Sequence, residues 1–211
     1  MRSSILFSIL SLLLLFSSCK RHDPDVEYKY PTASEFSWGY AEYFGKYYAD
    51  YDINKSVVSL SLFTDSLYIN DDGELDGYGQ YLFLEDIFSS PSSMFLPEGT
   101  YNISGSRESF TIAKGEITEI DGIEYTIGAY IYFIEKNAQY SKLETIIGGN
   151  FTLSYDNSNY YILCNFTLSD STQYTGQLNY REIPLYDESV NYLELGVPRK
   201  KLKIAGEAIN P

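Results

Sequence analysis

From about residue 36 onward, hydrophobic and polar positions alternate over short runs, and turn residues separate the runs. Val57, Leu60, Leu62 and Phe63 lie in a stretch from Ser56 to Thr64 with serines interleaved, which predicts a strand. Asn70-Asp71-Asp72-Gly73 and Asp76-Gly77 then mark turns, because glycine supplies positive φ and aspartate bonds to its local backbone. Tyr81-Leu82-Phe83-Leu84 starts a second strand towards Phe88, and the serines and prolines from Ser89 to Pro97 make a loop. Short strands are expected at 99–103 and 109–112. The run Ile123 to Ile134 alternates but switches parity near Gly128, which predicts a bulge or bend there.

A hairpin is the clearest local signal. Phe151, Leu153 and Tyr155 share one face, Asp156-Asn157-Ser158-Asn159 supplies the turn, and Tyr160 to Phe166 returns. Thr172 to Tyr180 gives a further strand, and 201–209 is a candidate to close the sheet. Phe36, Tyr40, Tyr43, Phe44, Tyr47 and Tyr51 fall at helical spacing, but Gly39, Gly45 and the density of tyrosine favour strand. The expected fold is all-β, an antiparallel barrel or sandwich of roughly nine to eleven strands, with a lipocalin-like barrel as one form.

The N-terminus reads differently. Met1-Arg2 precedes an apolar run from Ile5 to Phe16, too short for a bilayer span of about 20 residues. Ser17-Ser18-Cys19 follows and resembles the lipobox of bacterial lipoproteins, with Phe16 where that motif usually has Leu. The resemblance implies a signal peptide over 1–18, lipidation of Cys19 and a tether over 19–31. A single all-β domain would then occupy 32–211. Loss of Arg2 would leave 14 basic and 29 acidic side chains and a formal charge of −15. Such a chain is repelled by anionic headgroups and would hold the membrane through its lipid.

Composition narrows the chemistry. The 211 residues include 22 Tyr and 12 Phe but one His and two Cys, and the net charge is −14. That balance argues against nucleic acid, which needs a basic face. His22 sits three residues past Cys19, in the tether, where a catalytic base cannot be held in place. Cys164 lies within a strand and reads as a small buried hydrophobe.

Several segments resemble Bacteroides-type surface lipoproteins with all-β domains of unassigned function. They are Tyr43-Phe44-Gly45-Lys46-Tyr47-Tyr48, Gln80 to Leu84, Leu96 to Tyr101, Gly148 to Leu153 and Gln173 to Gly176. The resemblance implies an outer-membrane, surface-exposed location, to which the tether acids Asp23, Asp25 and Glu27 add and which Lys20 and Arg21 blur. It rests on strand starts and turns, so it implies no activity.

Candidate sites follow from side-chain chemistry. Tyr40, Tyr43, Tyr47 and Tyr48 cluster, with Tyr51 nearby and Tyr78, Tyr130 and Tyr132 downstream. Aromatic faces stack on sugar rings, so the first four form the expected ligand face, although strands also consume tyrosines in packing. Asp72, Glu74 and Asp76, next to Asp71, offer oxygen ligands for Ca²⁺, but the EF-hand echo fails at Phe83 where a bidentate Glu is required. Glu85 and Asp86, Glu116 and Glu119, and Glu135 could supply a glycosidase pair about 5–9.5 Å apart, a solvated face being their plainer role. Lys200, Lys201 and Lys203 suit a protected edge strand.

The sequence thus predicts a non-catalytic envelope lipoprotein that needs no cofactor. Its β domain would bind a glycan or small apolar ligand, or a protein partner. A carboxylate-based glycoside hydrolase and a subunit assembling by strand exchange are the alternatives.

Overall fold

The structure is a computed structural model that describes residues 29–136, 141–156, 159–190, 202 and 204. The signal, Cys19, His22 and Lys200, Lys201 and Lys203 lie outside the described residues. Within them the fold is all-β, with fifteen strands and one 3-10 turn. The first part of the chain contributes β1 (Ala33–Phe36), β2 (Trp38–Tyr43), the 3-10 turn Ala49–Tyr51, β3 (Ser56–Phe63), β4 (Leu67–Ile69) and β5 (Leu75–Gly77). The middle contributes β6 (Gly79–Ser89), β7 (Gly99–Ser104), β8 (Thr111–Ala113), β9 (Glu116–Ile120), β10 (Ile123–Ile127) and β11 (Ala129–Ile134). The last are β12 (Ser141–Asp156), β13 (Asn159–Leu168), β14 (Gln173–Tyr180) and β15 (Leu185–Asp187).

Five strands close on themselves: β6 pairs with β11, β11 with β12, β12 with β7, β7 with β8, and β8 with β6. Six more bond outside this barrel. β13, β14 and β1 extend from β12, while β3, β2 and β15 extend from β6. β4–β5 and β9–β10 are separate two-stranded hairpins. The single residue Ser37 links β1, which lies on β14 in one flank, to β2, which lies on β3 in the other, and its N–H donates to the Phe63 carbonyl at 2.8 Å.

Two expectations need correction. The sheet is not wholly antiparallel, because β1–β14, β7–β8 and β15–β2 are parallel pairs. In β7–β8 a short loop turns the chain back alongside itself, with Phe110 at φ +66°. Nor is the ring the eight-stranded one of a lipocalin, which leaves room for a ligand inside. Leu82, Leu84, Ile87, Ile112 and Ile131 are fully buried in one apolar cluster that runs on under β12, β13 and β14. Tyr101 and Phe151 stack within it, ring centroids 4.8 Å apart, and Cys164 is buried in the same cluster, its thiol pKa pushed up by burial.

The ambiguous aromatic segment is strand up to Tyr43 and then a turn. Phe44 and Gly45 close a loop on Val57, and Gly45 takes φ +61°. The parity switch at Gly128 is a sharp turn (φ +75°) that sends β10 into a hairpin and β11 into the barrel. A side chain there would collide with the chain, since an added Cβ would lie 2.2 Å from the Lys114 carbonyl oxygen. The expected strand at 201–209 lies outside the described residues apart from Leu202 and Ile204. Ile204 makes a lone bridge to Leu75.

A second apolar layer covers the outer face of β3, β6 and β11. Phe63, Tyr81, Phe83 and Tyr130 pack there beneath Leu67 and Leu75 of the β4–β5 hairpin. The Trp38 indole N–H donates to the Leu67 carbonyl at 2.9 Å and pins that hairpin.

Candidate functional site

The site begins as an irregularity in β6. Along this strand Leu82 and Leu84 point into the main core, while Tyr81 and Phe83 point outward into the second layer. Strict alternation would place Glu85 outward and Asp86 inward. Against β3, however, Leu84 pairs with Leu60 and Ile87 with Val58, so Ser59 alone faces both Glu85 and Asp86. This is a β-bulge, and it resets the parity. Ile87 returns to the main core, and Phe88 lies in a third, outer cluster with Phe44 and Val57. Both carboxylates therefore fall on the outer face.

That face opens into a cleft of about 600 Å³ lined by both acids. Three segments wall it. The loop after β2 contributes Tyr51 together with Tyr47 and Tyr48, which are seated on the Phe44–Val57–Phe88 cluster. The end of β7 contributes Ser104, the β7–β8 connection Ser106 and Arg107, and the β9–β10 hairpin Glu116, Thr118, Ile120 and Ile127.

The tyrosine rings stand at steep angles to one another. Tyr47 and Tyr48 are edge-on at 4.9 Å and 89°, and Tyr48 and Tyr51 meet at 6.5 Å and 62°. Tyr51 is 58% exposed, so much of its ring meets solvent. The Tyr48 hydroxyl donates to Asp86 Oδ2, and the Arg107 guanidinium lies over the Tyr48 ring 4.4 Å from its centroid. Such a contact contributes about 0.5–1 kcal/mol at an exposed position. Lys114 also lines the cleft, so it carries both signs of charge.

Glu85 and Asp86 are each 7% exposed. The Gly128 N–H donates to Glu85 Oε2 at 2.6 Å, which satisfies the backbone group left over where β11 begins. Behind Glu85, burial first and the Glu85 charge second raise the pKa of Tyr130, so its phenol stays neutral. The carboxylates are thus fixed by the fold while their outer surface meets the cleft. Two fixed acceptor groups beside tyrosine rings and a guanidinium offer a polyhydroxylated ring both hydrogen-bond acceptors and a donor.

Of the four tyrosines expected to form one ligand face, the structure brings together Tyr47 and Tyr48 and adds Tyr51. Tyr40 instead packs on Phe63 at 5.9 Å and edge-on against Tyr186, in the second layer. Tyr43 packs against the main core. Tyr130 is buried, Tyr132 packs against the second layer, and Tyr78 lies under Lys136. Of the calcium candidates, Asp76 accepts from the Gly77 N–H at 2.6 Å and the Tyr68 hydroxyl at 3.1 Å. The turn is closed by Asn70 Oδ1, which accepts from the N–H groups of Asp72 and Glu74. Among the described residues no group of three or more His, Cys, Asp or Glu side chains is placed to hold a metal ion.

Sequence reasoning offered Glu85 and Asp86 only as one carboxylate pair among several. It missed Arg107 and Lys114, for which the linear sequence holds no signal. No family model, curated protein or solved structure matches this chain.

The structure makes the fold's dependence on Glu85 measurable. Glu85→Gln keeps an acceptor for the Gly128 N–H, whereas Glu85→Leu leaves that buried donor unpaired at a cost of about 1–3 kcal/mol. Urea unfolding should place Glu85→Leu below Glu85→Gln by that amount. Equal midpoints would show that the bond does not hold the bulge.

Proposed function

We propose that this protein is a lipid-anchored envelope protein whose β domain binds a saccharide in the cleft beside Glu85 and Asp86. One observation carries the reading: the β6 bulge sets two adjacent carboxylates on one face, next to Tyr47 and Tyr48. Carboxylate oxygens are strong acceptors for sugar hydroxyl groups, and both of these acids line the cleft. The packed barrel interior gives no support to a small apolar ligand held inside, so the ligand class that fits is the polar one. Anchoring rests on Ser17-Ser18-Cys19 after the apolar run, which supports an envelope location with the cleft displayed on a tether.

Calorimetry of the full chain in detergent against a panel of oligosaccharides tests the binding. At least one should bind, and Tyr48→Ala and Asp86→Asn should each weaken it about tenfold, or about 1.4 kcal/mol. A panel without any binding contradicts the reading. The same carboxylate pair favours a second reading, glycoside hydrolysis. Release of new reducing ends by the parent chain, lost in both Glu85→Gln and Asp86→Asn, would establish that reading instead.

For the anchor, Cys19→Ser should move the protein out of the membrane fraction or stop its maturation. Normal processing with unchanged membrane partition would contradict lipidation.

A further inference from the structure

Next to the cleft, the outer face of β7, β12, β13 and β14 has an unusual composition. In a chain with 21% charged residues and a net charge of −14, the outward side chains of one stretch on each of these four strands are uncharged. They run from Thr100 to Ser104 on β7, Asn150 to Ser154 on β12, Tyr161 to Thr167 on β13 and Gln173 to Asn179 on β14. Among the described residues charges flank these stretches: Glu35 accepts from the Gln177 amide at 3.0 Å, Asp156 from the Tyr161 hydroxyl at 3.0 Å, and Lys142 pairs with Glu144 and Asp170 at the far end of β12.

The register of the strands lines up one row across this face. Asn102 lies opposite Asn150, Asn150 opposite Asn165, and Asn165 opposite Thr175. Asn102, Asn165 and Thr175 are exposed and Asn150 is half-buried, while their chain neighbours Tyr101, Phe151, Cys164 and Tyr174 fill the core. Three strand spacings of about 4.8 Å make the row roughly 14 Å long, enough for more than one sugar ring. Among the described residues none of these four side chains has a protein hydrogen-bond partner, so their amide and hydroxyl groups face outward available. Elsewhere on the face such groups are consumed, as between Thr100 and Thr152 at 3.0 Å and between Gln173 and Thr167 at 3.1 Å.

The row is continuous with the cleft. Side chains two apart on a strand share a face, so Asn102 and Ser104 point the same way along β7, and Ser104 lines the cleft. We infer that the cleft is one end of a longer track, and that the ligand is a neutral polysaccharide chain whose further sugars lie along the Asn102–Asn150–Asn165–Thr175 row. This rests on the saccharide reading of the cleft. Uncharged amides hydrogen-bond to hydroxyl groups as both donors and acceptors without the desolvation cost of an ion, which suits a neutral chain. The protein's overall negative charge disfavours a sulfated or uronic one.

Calorimetry of the full chain with a neutral oligosaccharide series, from disaccharide to octasaccharide, tests the inference. In the parent, affinity should rise at least about tenfold with length, and the Asn102→Ala/Asn150→Ala/Asn165→Ala variant should bring the long-to-short ratio close to one. Urea midpoints report whether that variant folds. Where it does not, the single exposed change Asn165→Lys should lower the same ratio. Short saccharides that bind with no gain from length would overturn the track and leave the cleft reading standing. So would a gain that survives both variants, and tighter binding of sulfated than of neutral chains of equal length would also overturn it. Absence of binding at every length would overturn both.

Discussion

The structure turns on backbone hydrogen bonding where two long strands change partners. β6 pairs with β11 through Gly79–Leu84 and with β8 through Ile87–Phe88. β12 pairs with β11 through Ser141–Thr145 and with β7 through Asn150–Leu153. At each changeover buried N–H and carbonyl groups lose their ladder partner, and such groups are almost never left unpaired. The chain meets the requirement with local devices. Each long strand has a register shift at that point, between Leu84 and Ile87 of β6 and between Ile146 and Gly148 of β12. The Gly115 N–H donates to Ile146 and the Gly128 N–H to Glu85. Gly115 and Gly128 also let the segment carrying the β9–β10 hairpin pass between neighbouring backbones, where added Cβ atoms would lie 1.8 and 2.2 Å from carbonyl oxygens.

The cleft is a consequence of that solution. The bulge that ends the β6–β11 pairing also turns Glu85 and Asp86 to one side, and the hairpin that leaves through the gap becomes one wall. Tyr47 and Tyr48 complete it because the loop after β2 is pinned by Phe44, Val57 and Phe88. A rigid constellation of this kind would lose little freedom on binding, which is what the proposed saccharide reading requires. Glu85 thus serves the backbone at the changeover while both carboxylates line the cleft.

How much of this was legible in the sequence depends on the range of the interaction responsible. Strand periodicity is local, so 56–64, the 150–166 hairpin and 172–180 were readable from alternation alone. Gly128 was readable too, since the parity of Ile123–Ile134 breaks there. The bulge at Glu85–Asp86 was not. Its run of buried residues, from Gln80 to Ser89, carries no alternation to be broken, and the register shift is set by pairing with distant Ser59. The parallel pairs β1–β14 and β15–β2 likewise depend on contacts between distant parts of the chain. For the site, the tyrosine cluster was visible, but strand direction divides it: Tyr40 on β2 faces the second layer, while Tyr47 and Tyr48 follow the strand. Composition also hid the uncharged face, because its residues are spread over four strands and align only through register.

The central claim is that Glu85 and Asp86 act as one unit on the cleft side of β6. Carbon-13 NMR of their side-chain carboxyl groups, followed during titration with a saccharide that binds, tests it most directly. The account predicts that both resonances move together and saturate at the same ligand concentration. Binding that moves neither, or one without the other, would contradict it.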